Sequence, residues 1–272
     1  MCYRRWAVRA SLLVLIGALL ACHAWAHVQY RHAQSALTRR DLPQAQMYLD
    51  RCLGIWFLSA DTYLLAARTA RRAGDLDQAA AYLRKCRAFG GADEAIDLEY
   101  KLLRLQQGDL REVEGFLVNL MTRGHPETPA IAEVLTPAFL KSYQLQNAAE
   151  CVRRWLEREP DRIEAWRCRA KLYEYAHNSQ EALASYRRLA ELDPENDQDR
   201  LLLAGELIQE HQPQQALDQF EYLRGRLGDT PQVLGGLACC HRELNHTFGE
   251  APNGNHNGQV HADRHRQPPD CG

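Results

Sequence analysis

The sequence predicts an all-α protein: a right-handed α-solenoid of about six helix–turn–helix repeats, preceded by an N-terminal apolar helix. The prediction rests on three columns of residues that recur every 34 or 35 positions. Two columns hold mainly small residues, which let helix backbones approach closely, and the third holds large apolar residues one helical turn later. A single helix pair cannot bury its apolar face alone, so pairs that keep this phase must stack on their neighbours. The columns are Ala45, Ala79, Val113, Ala148, Ala182 and Ala216; Ala33, Ala67, Lys101, Thr136, Ala170, Ala204 and Ala238; and Leu49, Leu83, Leu117, Val152, Tyr186 and Phe220.

The N-terminal segment has three interpretations. Residues 1–9 carry three arginines and no acid, and residues 10–22 carry no charge. As a signal anchor, about twenty uncharged residues from Ala10 onward would span a bilayer. As a cleaved signal peptide, the segment ends in Ala24-Trp25-Ala26, which fits the A-x-A cleavage pattern. As a lipoprotein signal, Leu19-Leu20-Ala21-Cys22 resembles a bacterial lipobox.

We favour the anchor, over residues 1–25, because the next helix begins at once and the span can run into it without a linker. Arg4, Arg5 and Arg9 precede the apolar run on a short tail, which favours an N-terminus inside the cytoplasm. We therefore expect a membrane-anchored protein whose repeat array lies on the extracytoplasmic side of a bacterial-type envelope.

Turn residues separate the predicted helices. Gly74-Asp75 and Gly108-Asp109 each pair a helix-ending glycine with an N-capping aspartate. Pro43 and Pro213 fall in the first turn of second helices, where a missing N–H costs nothing. We predict a solenoid over 26–244, with repeats near 26–59, 60–93, 94–128, 129–162, 163–196 and 197–230 and a lone helix at 231–244.

Two residues depart from the repeat pattern. Lys101 occupies a small-residue column, so we expect looser packing there or a side chain that reaches out to solvent. Pro137 falls inside the first helix of the fourth repeat, where we expect it to kink or restart the helix. The extra residue of the one 35-residue interval lies just before that helix, around His125 to Pro129, and we expect the superhelix to bend there.

The best-formed repeat carries a family signature. Its residues at the signature positions are Trp166, Ala170, Tyr173, Ala182, Tyr186 and Pro194. With these residues the chain resembles the tetratricopeptide repeat (TPR) family, although Arg169 stands where that family prefers Leu. The resemblance implies a non-catalytic scaffold that binds a peptide or a partner protein in a concave groove lined by the first helix of each repeat.

Carried over by repeat position, the family's groove residues define a candidate binding surface. Arg68, Arg71 and Arg72 form its sharpest cluster, suited to an acidic or carboxylate-bearing segment. The lysine and asparagine arrangement of chaperone-tail carboxylate clamps is absent. The candidate groove residues are Tyr30, Gln34, Arg68, Arg71, Arg72, Leu98, Leu102, Arg167, Lys171, Tyr175, Leu201 and Ile208.

Composition and motifs argue against other classes of function. A net charge of −2 leaves no basic excess for phosphates, so we expect no nucleic-acid partner. The nine cysteines form no C-x2-C pair, and we interpret them as small hydrophobes inside helices. No phosphate loop, nucleophile elbow or HExxH motif occurs, so we expect no enzyme, no cofactor and no metal.

The repeat pattern stops after Asn245. Residues 245–272 are rich in Gly, Pro, Asn and His, and we expect them to be disordered because they cannot bury enough apolar surface. The helix before them is apolar on more than one face, whereas solenoids normally end in a polar cap. Two explanations stay open: a reading frame cut or shifted near this point, and a helix that docks on a partner.

Overall fold

The structure, a computed structural model, describes the backbone of residues 2–249 and the side chains of residues 13–245. Within this range the regular secondary structure is entirely α-helical, in thirteen helices joined by short turns. The helices are α1 Cys2–Thr38, α2 Leu42–Leu53, α3 Ala60–Ala73, α4 Leu76–Ala88, α5 Asp93–Gln106, α6 Leu110–Thr122, α7 Thr128–Lys141, α8 Leu145–Arg158, α9 Ile163–Tyr175, α10 Ser179–Leu192, α11 Asp197–Gln209, α12 Pro213–Leu227 and α13 Pro231–Gly249.

The predicted fold is confirmed: consecutive helices pack as helix–turn–helix pairs, as in TPR solenoids. The small-residue columns lie where these helices meet, and Ala45, Ala148, Ala182 and Ala216 are fully buried. Their burial shows why the columns exist, since a larger side chain there would hold the helix backbones apart. The described residues divide into two compact units, an N-terminal unit ending at Asn119 and a C-terminal unit beginning at Leu120.

The turn inside each helix pair has one conformation throughout the array. Its next-to-last residue has a positive φ, which places that residue in the left-handed region. The N–H of the next residue closes the preceding helix, as Asp75 N–H does by donating to the Ala70 carbonyl at 3.0 Å. The Asp75 carboxylate then accepts the backbone N–H of Gln78 at 3.0 Å and caps the following helix. The left-handed residues are Arg40, Gly74, Gly108, Tyr143, His177 and His211, again 34 or 35 positions apart.

Helix α7 corrects one prediction. It runs without a break from Thr128 to Lys141 with Pro137 inside it, so the expected restart is wrong. An interior proline costs a helix about 3 kcal/mol. Packing on both sides of Pro137 offsets this cost, since Ile131, Leu135 and Phe139 are all fully buried. The kink at Pro137 and the bend of the superhelix around His125 to Pro129 stay predictions.

Lys101 fits its small-residue column by bending its side chain outward. It is half-buried, and its Nζ lies 4.6 Å from the centre of the half-exposed Phe116 ring. The apolar stem covers part of the interface while the ammonium group gains a cation–π contact, as expected for a side chain that reaches out to solvent.

The N-terminal apolar segment and the first repeat share one helix. Helix α1 is continuous; it contacts the rest of the protein at His23, which pairs with Trp56, and its first fully buried residue is Ala26. Residues 13–38 are long and apolar enough to cross a membrane: an 18-residue window within them has a mean hydropathy of 1.4 and is 11% buried, although a signal sequence has the same properties. Helix α1 continues without a break through residue 25, where the predicted anchor ends.

The array ends in α13, which packs on α12 through buried Val233 and Cys240. On its outer side Leu234 is 44% exposed. The helix continues to Gly249, four residues past the point where the pattern stops; the rest of the predicted disordered tail lies outside the described residues.

Candidate partner-binding surface

The arginine cluster on α3 is not an open face. Arg71 is 1% exposed, and its Nε donates to Glu99 Oε2 of α5 at 2.8 Å. Arg68, which is 25% exposed, donates to the other oxygen of the same carboxylate at 2.9 Å. The prediction that Arg71 presents a guanidinium group to a partner is therefore wrong. Two of the three arginines instead tie α3 to α5, because a buried cation requires an acidic partner.

Arg167 joins the first helices α9 and α11 in the C-terminal unit. Its guanidinium contacts both carboxylate oxygens of Asp199, with the shortest distance 2.7 Å. Asp199 is 5% exposed and Arg167 is 38% exposed, so one side of the guanidinium remains in solvent. The hydrogen bond to Asp199 raises the pKa of Arg167 against the effect of burial. Arg167 thus stabilises the array and still reaches the surface.

Two further predicted residues, Lys171 and Tyr175, follow Arg167 at successive turns on one face of α9. Lys171 is exposed and makes no ion pair with the described residues. Tyr175 is 45% exposed, and its ring centre lies 5.7 Å from that of Tyr143, which is 75% exposed. An ammonium group and two aromatic rings are therefore available together on the surface. We call Arg167, Lys171, Tyr175 and Tyr143 the α9 face.

Tyr30 and Gln34 lie together on α1 in the N-terminal unit. Gln34 is exposed and hydrogen-bonds the half-buried Tyr30, which also lies close to Asp61 and Arg68 of α3. The structure therefore brings Tyr30, Gln34 and Arg68 into one neighbourhood. It does not do the same for two other groove candidates, Leu98 and Leu102, which are buried in the core.

The buried Tyr186 and two partly exposed carboxylates form a polar group between α9, α10 and α11. The Tyr186 hydroxyl donates to Glu174, and burial together with this bond raises the pKa of Tyr186. Burial and the charge of Glu174 raise the pKa of Glu206. The described residues hold no group of three or more His, Cys, Asp and Glu able to bind a metal ion.

Four of the seven described cysteines match their interpretation as packing residues, whereas Cys22 is exposed and Cys168 and Cys239 are partly buried. Cys52, Cys86, Cys151 and Cys240 are buried and no described cysteine is in a disulfide. Burial raises the pKa of Cys52 to about 11, which keeps it protonated and unreactive.

A surface groove between α8 and α9 was not predicted from the sequence. The groove has a volume of about 740 Å³ and is lined by Leu156, Pro160, Trp166, Arg169 and Tyr173, among others. Arg169 lies over the rings of Trp166 and Tyr173, with its guanidinium carbon 5.1 Å from each ring centre. The signal was the departure from the family signature at Arg169, since a charged residue there needs partners that Leu does not.

A second missed feature is a cavity of about 520 Å³ between α1 and the loop that precedes α3. It is lined by His23, His27 and Tyr30 on one side and by residues 55–59 with Asp61 and Thr62 on the other. Ile55-Trp56-Phe57-Leu58 is a run of four large apolar residues where the other repeats have glycine, proline and acids. That contrast was visible in the sequence.

Comparison with known proteins gives structural neighbours only. No protein-family profile matches the chain, and no curated protein is similar to it in sequence. PilW, a widely conserved type IV pilus biogenesis factor, superposes with a TM-score of 0.58 at 14% identity, over 77% of this chain and 96% of that one. PilF of Pseudomonas aeruginosa superposes with a TM-score of 0.56 at 17% identity, over 80% of this chain and 99% of that one.

A third neighbour is larger. The match to the Cut9–Hcn1 hetero-tetramer of the APC/C has a TM-score of 0.60 at 13% identity and covers 85% of this chain but only 45% of that one. At these identities the likeness is one of fold. The fold is that of tetratricopeptide repeat proteins, which are generally non-catalytic scaffolds.

Proposed function

We propose that the protein is a membrane-anchored scaffold that binds a peptide or partner protein on the α9 face. The observation that carries the proposal is the row of Arg167, Lys171 and Tyr175, which is exposed along one side of a first helix. Helix α9 contacts the first helix α7 of the preceding repeat, and Arg167 binds Asp199 of the next first helix, α11, so the row lies beside both neighbouring repeats.

The chemistry of the face indicates the kind of segment that it binds. Lys171 offers a charged donor for a carboxylate, and Tyr143 and Tyr175 offer ring surface for an apolar or aromatic side chain. Arg167 keeps part of its guanidinium in solvent although Asp199 neutralises it. An extended segment with an acidic residue near an apolar one complements this arrangement.

A photo-crosslinking experiment tests the binding surface. A benzoylphenylalanine residue replaces Lys171 or Tyr175 in the full chain, and the exposed Gln215 on the second helix α12 serves as the control position. We expect one partner to be captured from both α9 positions and not from position 215. The charge reversal Lys171→Glu should weaken capture from position 175. Equal capture at all three positions, or capture at none, would contradict the proposal.

Anchoring is the second part of the proposal. It is supported by the exposed apolar side chains of α1 between Leu13 and Leu20 and by the absence of a break between this segment and the first repeat. We propose that residues 1–25 hold the repeats at the extracytoplasmic face of a bacterial-type membrane. The pilus factors among the structural neighbours are consistent with an envelope setting.

An envelope lipoprotein or secreted assembly factor is the alternative. It is favoured by the exposed Cys22 at the end of Leu19-Leu20-Ala21-Cys22. Fractionation separates the possibilities. An uncleaved anchor resists an alkaline wash at full length, a lipoprotein accumulates as its precursor in globomycin, and a secreted form loses the N-terminal segment and leaves the membrane.

A further inference from the structure

Outside α1, the most exposed large apolar side chains of the N-terminal unit, among the described residues, lie in the loop between α2 and α3. Phe57 and Leu58 are each 59% exposed and stand side by side at its tip. The whole stretch from Cys52 to Ala60 is uncharged. By contrast, the loops that follow α8, α10 and α12 contain Asp161, Glu195 and Asp229. The loop between α2 and α3 is therefore uncharged and apolar, as is typical of a surface that faces lipid and not water.

The position of the loop along α1 is fixed by aromatic contacts. Trp56 Nε1 donates to His23 Nδ1 at 2.9 Å, and the two ring centres lie 5.1 Å apart. The Trp56 ring also lies 6.1 Å from His27 and 6.2 Å from Tyr30. Below it Cys52 Sγ donates to the Ala26 carbonyl at 3.4 Å. The loop is therefore held beside residues 23–27 of α1.

The length of the apolar run places residues 23–27 of α1, and the loop beside them, at the edge of a membrane. Residues 10–22 rise about 20 Å as a helix, whereas the hydrocarbon core is about 30 Å thick. A span that begins at Ala10 and fills this thickness needs about twenty residues and ends near Gln29. Its last third is thus the part of α1 that touches the loop. Trp25, 45% exposed at the same height, is a residue type enriched at membrane interfaces.

We propose that Phe57 and Leu58 insert into the bilayer interface beside α1 and form a second membrane contact of the N-terminal unit. This inference rests on the proposed anchor and adds a surface to it. Residues 10–22 alone are too short for the hydrocarbon core, and the loop lies beside the uncharged residues that complete the span, so the edge of the first repeat reaches the lipid. Two contacts that are not collinear also fix the tilt of the first repeat against the membrane, which a single helix does not.

The test measures the depth of single fluorescent probes in the full-length protein. An environment-sensitive fluorescent amino acid replaces Phe57, Leu58, Leu15 or Phe89, one at a time. The protein is reconstituted in vesicles of equal parts phosphatidylcholine and phosphatidylglycerol, with the phosphatidylcholine brominated either near the headgroup or near the chain centre. Phe89 is the matched control, since it holds the position of Ile55 one repeat further on and is 39% exposed.

We expect probes at 57 and 58 to be quenched severalfold more than the probe at 89, and most strongly by lipid brominated near the headgroup. The probe at Leu15 should be quenched most by lipid brominated near the chain centre. Quenching at 15 with no difference between 57 and 89 would overturn the inference and leave the anchor standing. No quenching at 15 would remove both. Circular dichroism of each variant verifies the helical fold, which these exposed positions should not disturb.

Discussion

The joint between α3 and α5 and the joint between α9 and α11 use the same chemistry at different depths. Each ties the first helices of consecutive repeats with arginine on one helix and a carboxylate on the next. In the N-terminal unit Arg71 and Glu99 are almost completely buried, at 1% and 2% exposure. In the C-terminal unit Asp199 is buried but Arg167 is 38% exposed. A buried pair serves only to hold its helices together, whereas a half-exposed arginine can also meet a partner.

The turns of the two units differ in a related way. Gly74 and Gly108 hold the left-handed position in the N-terminal unit, where glycine is free of the steric cost that a side chain adds. In the C-terminal unit Tyr143, His177 and His211 hold it with φ between 52° and 54°. The C-terminal unit thus presents side chains at positions where the N-terminal unit has mostly glycine. One of them, Tyr143, belongs to the α9 face.

The largest effect in this comparison should come from Glu99→Ala. The substitution leaves Arg71 buried without its acid, and losing one member of a buried pair typically costs about 3–5 kcal/mol. We expect the free energy of unfolding, measured by urea titration with circular dichroism, to fall by that amount. Asp97→Ala on the same helix is the control, because Asp97 and Arg87 are each more than half exposed and such pairs contribute about 0–1 kcal/mol. Equal losses for the two variants would mean that the buried pair does not hold the joint.

Asp199→Ala should have a smaller effect. It removes a charge-assisted bond worth about 1–3 kcal/mol, but the half-exposed Arg167 can then be hydrated by solvent. We expect a loss of stability below that of Glu99→Ala in the same titration, with Asp161→Ala, whose side chain is 70% exposed, as its control. A loss as large as that of Glu99→Ala would show that exposure of the arginine does not distinguish the two joints.

The turn residues should give the smallest effects and opposite signs. Gly74→Ala forces a side chain into the left-handed region and should cost about 1–2 kcal/mol. His211→Gly relieves that strain, but the added freedom of glycine in the unfolded chain offsets it by about 0.5–1 kcal/mol, so the net change should be small and, if anything, stabilising. Midpoints of thermal and urea unfolding measure both. A clear loss of stability in His211→Gly would indicate that the His211 side chain makes a contact on which the turn depends.

The fold was predictable because packing repeats every 34 residues. The repeat columns predict that Ala182 and Tyr186 lie where two helices meet, and both residues are buried. Pro137 shows the limit of local rules. The free-energy cost of an interior proline can be read from the local sequence. The burial that offsets this cost depends on how the neighbouring residues pack, which the repeat pattern alone does not give.

The candidate binding surface was only partly predictable. Lys171 and Tyr175 were placed by repeat position and are exposed, as a binding role requires. Arg71 was placed by the same rule and is buried, because Glu99 lies on the next first helix. A repeat position tells which face of a helix a residue occupies. It does not tell whether a neighbour supplies a counter-charge.

The amino-acid sequence alone determined the helix pairs, their phase, the apolar N-terminal helix and the turn positions. Short-range spacing and small-residue packing suffice to predict each of these features. Tertiary contacts decided the rest: which arginines are buried, which cation stays open on α9, and where Trp56 holds Phe57 and Leu58 against α1. Charge neutralisation and aromatic contacts join residues about thirty positions apart, such as Arg71 with Glu99 and His23 with Trp56. Their energy depends on burial, which arises only when the helices have packed.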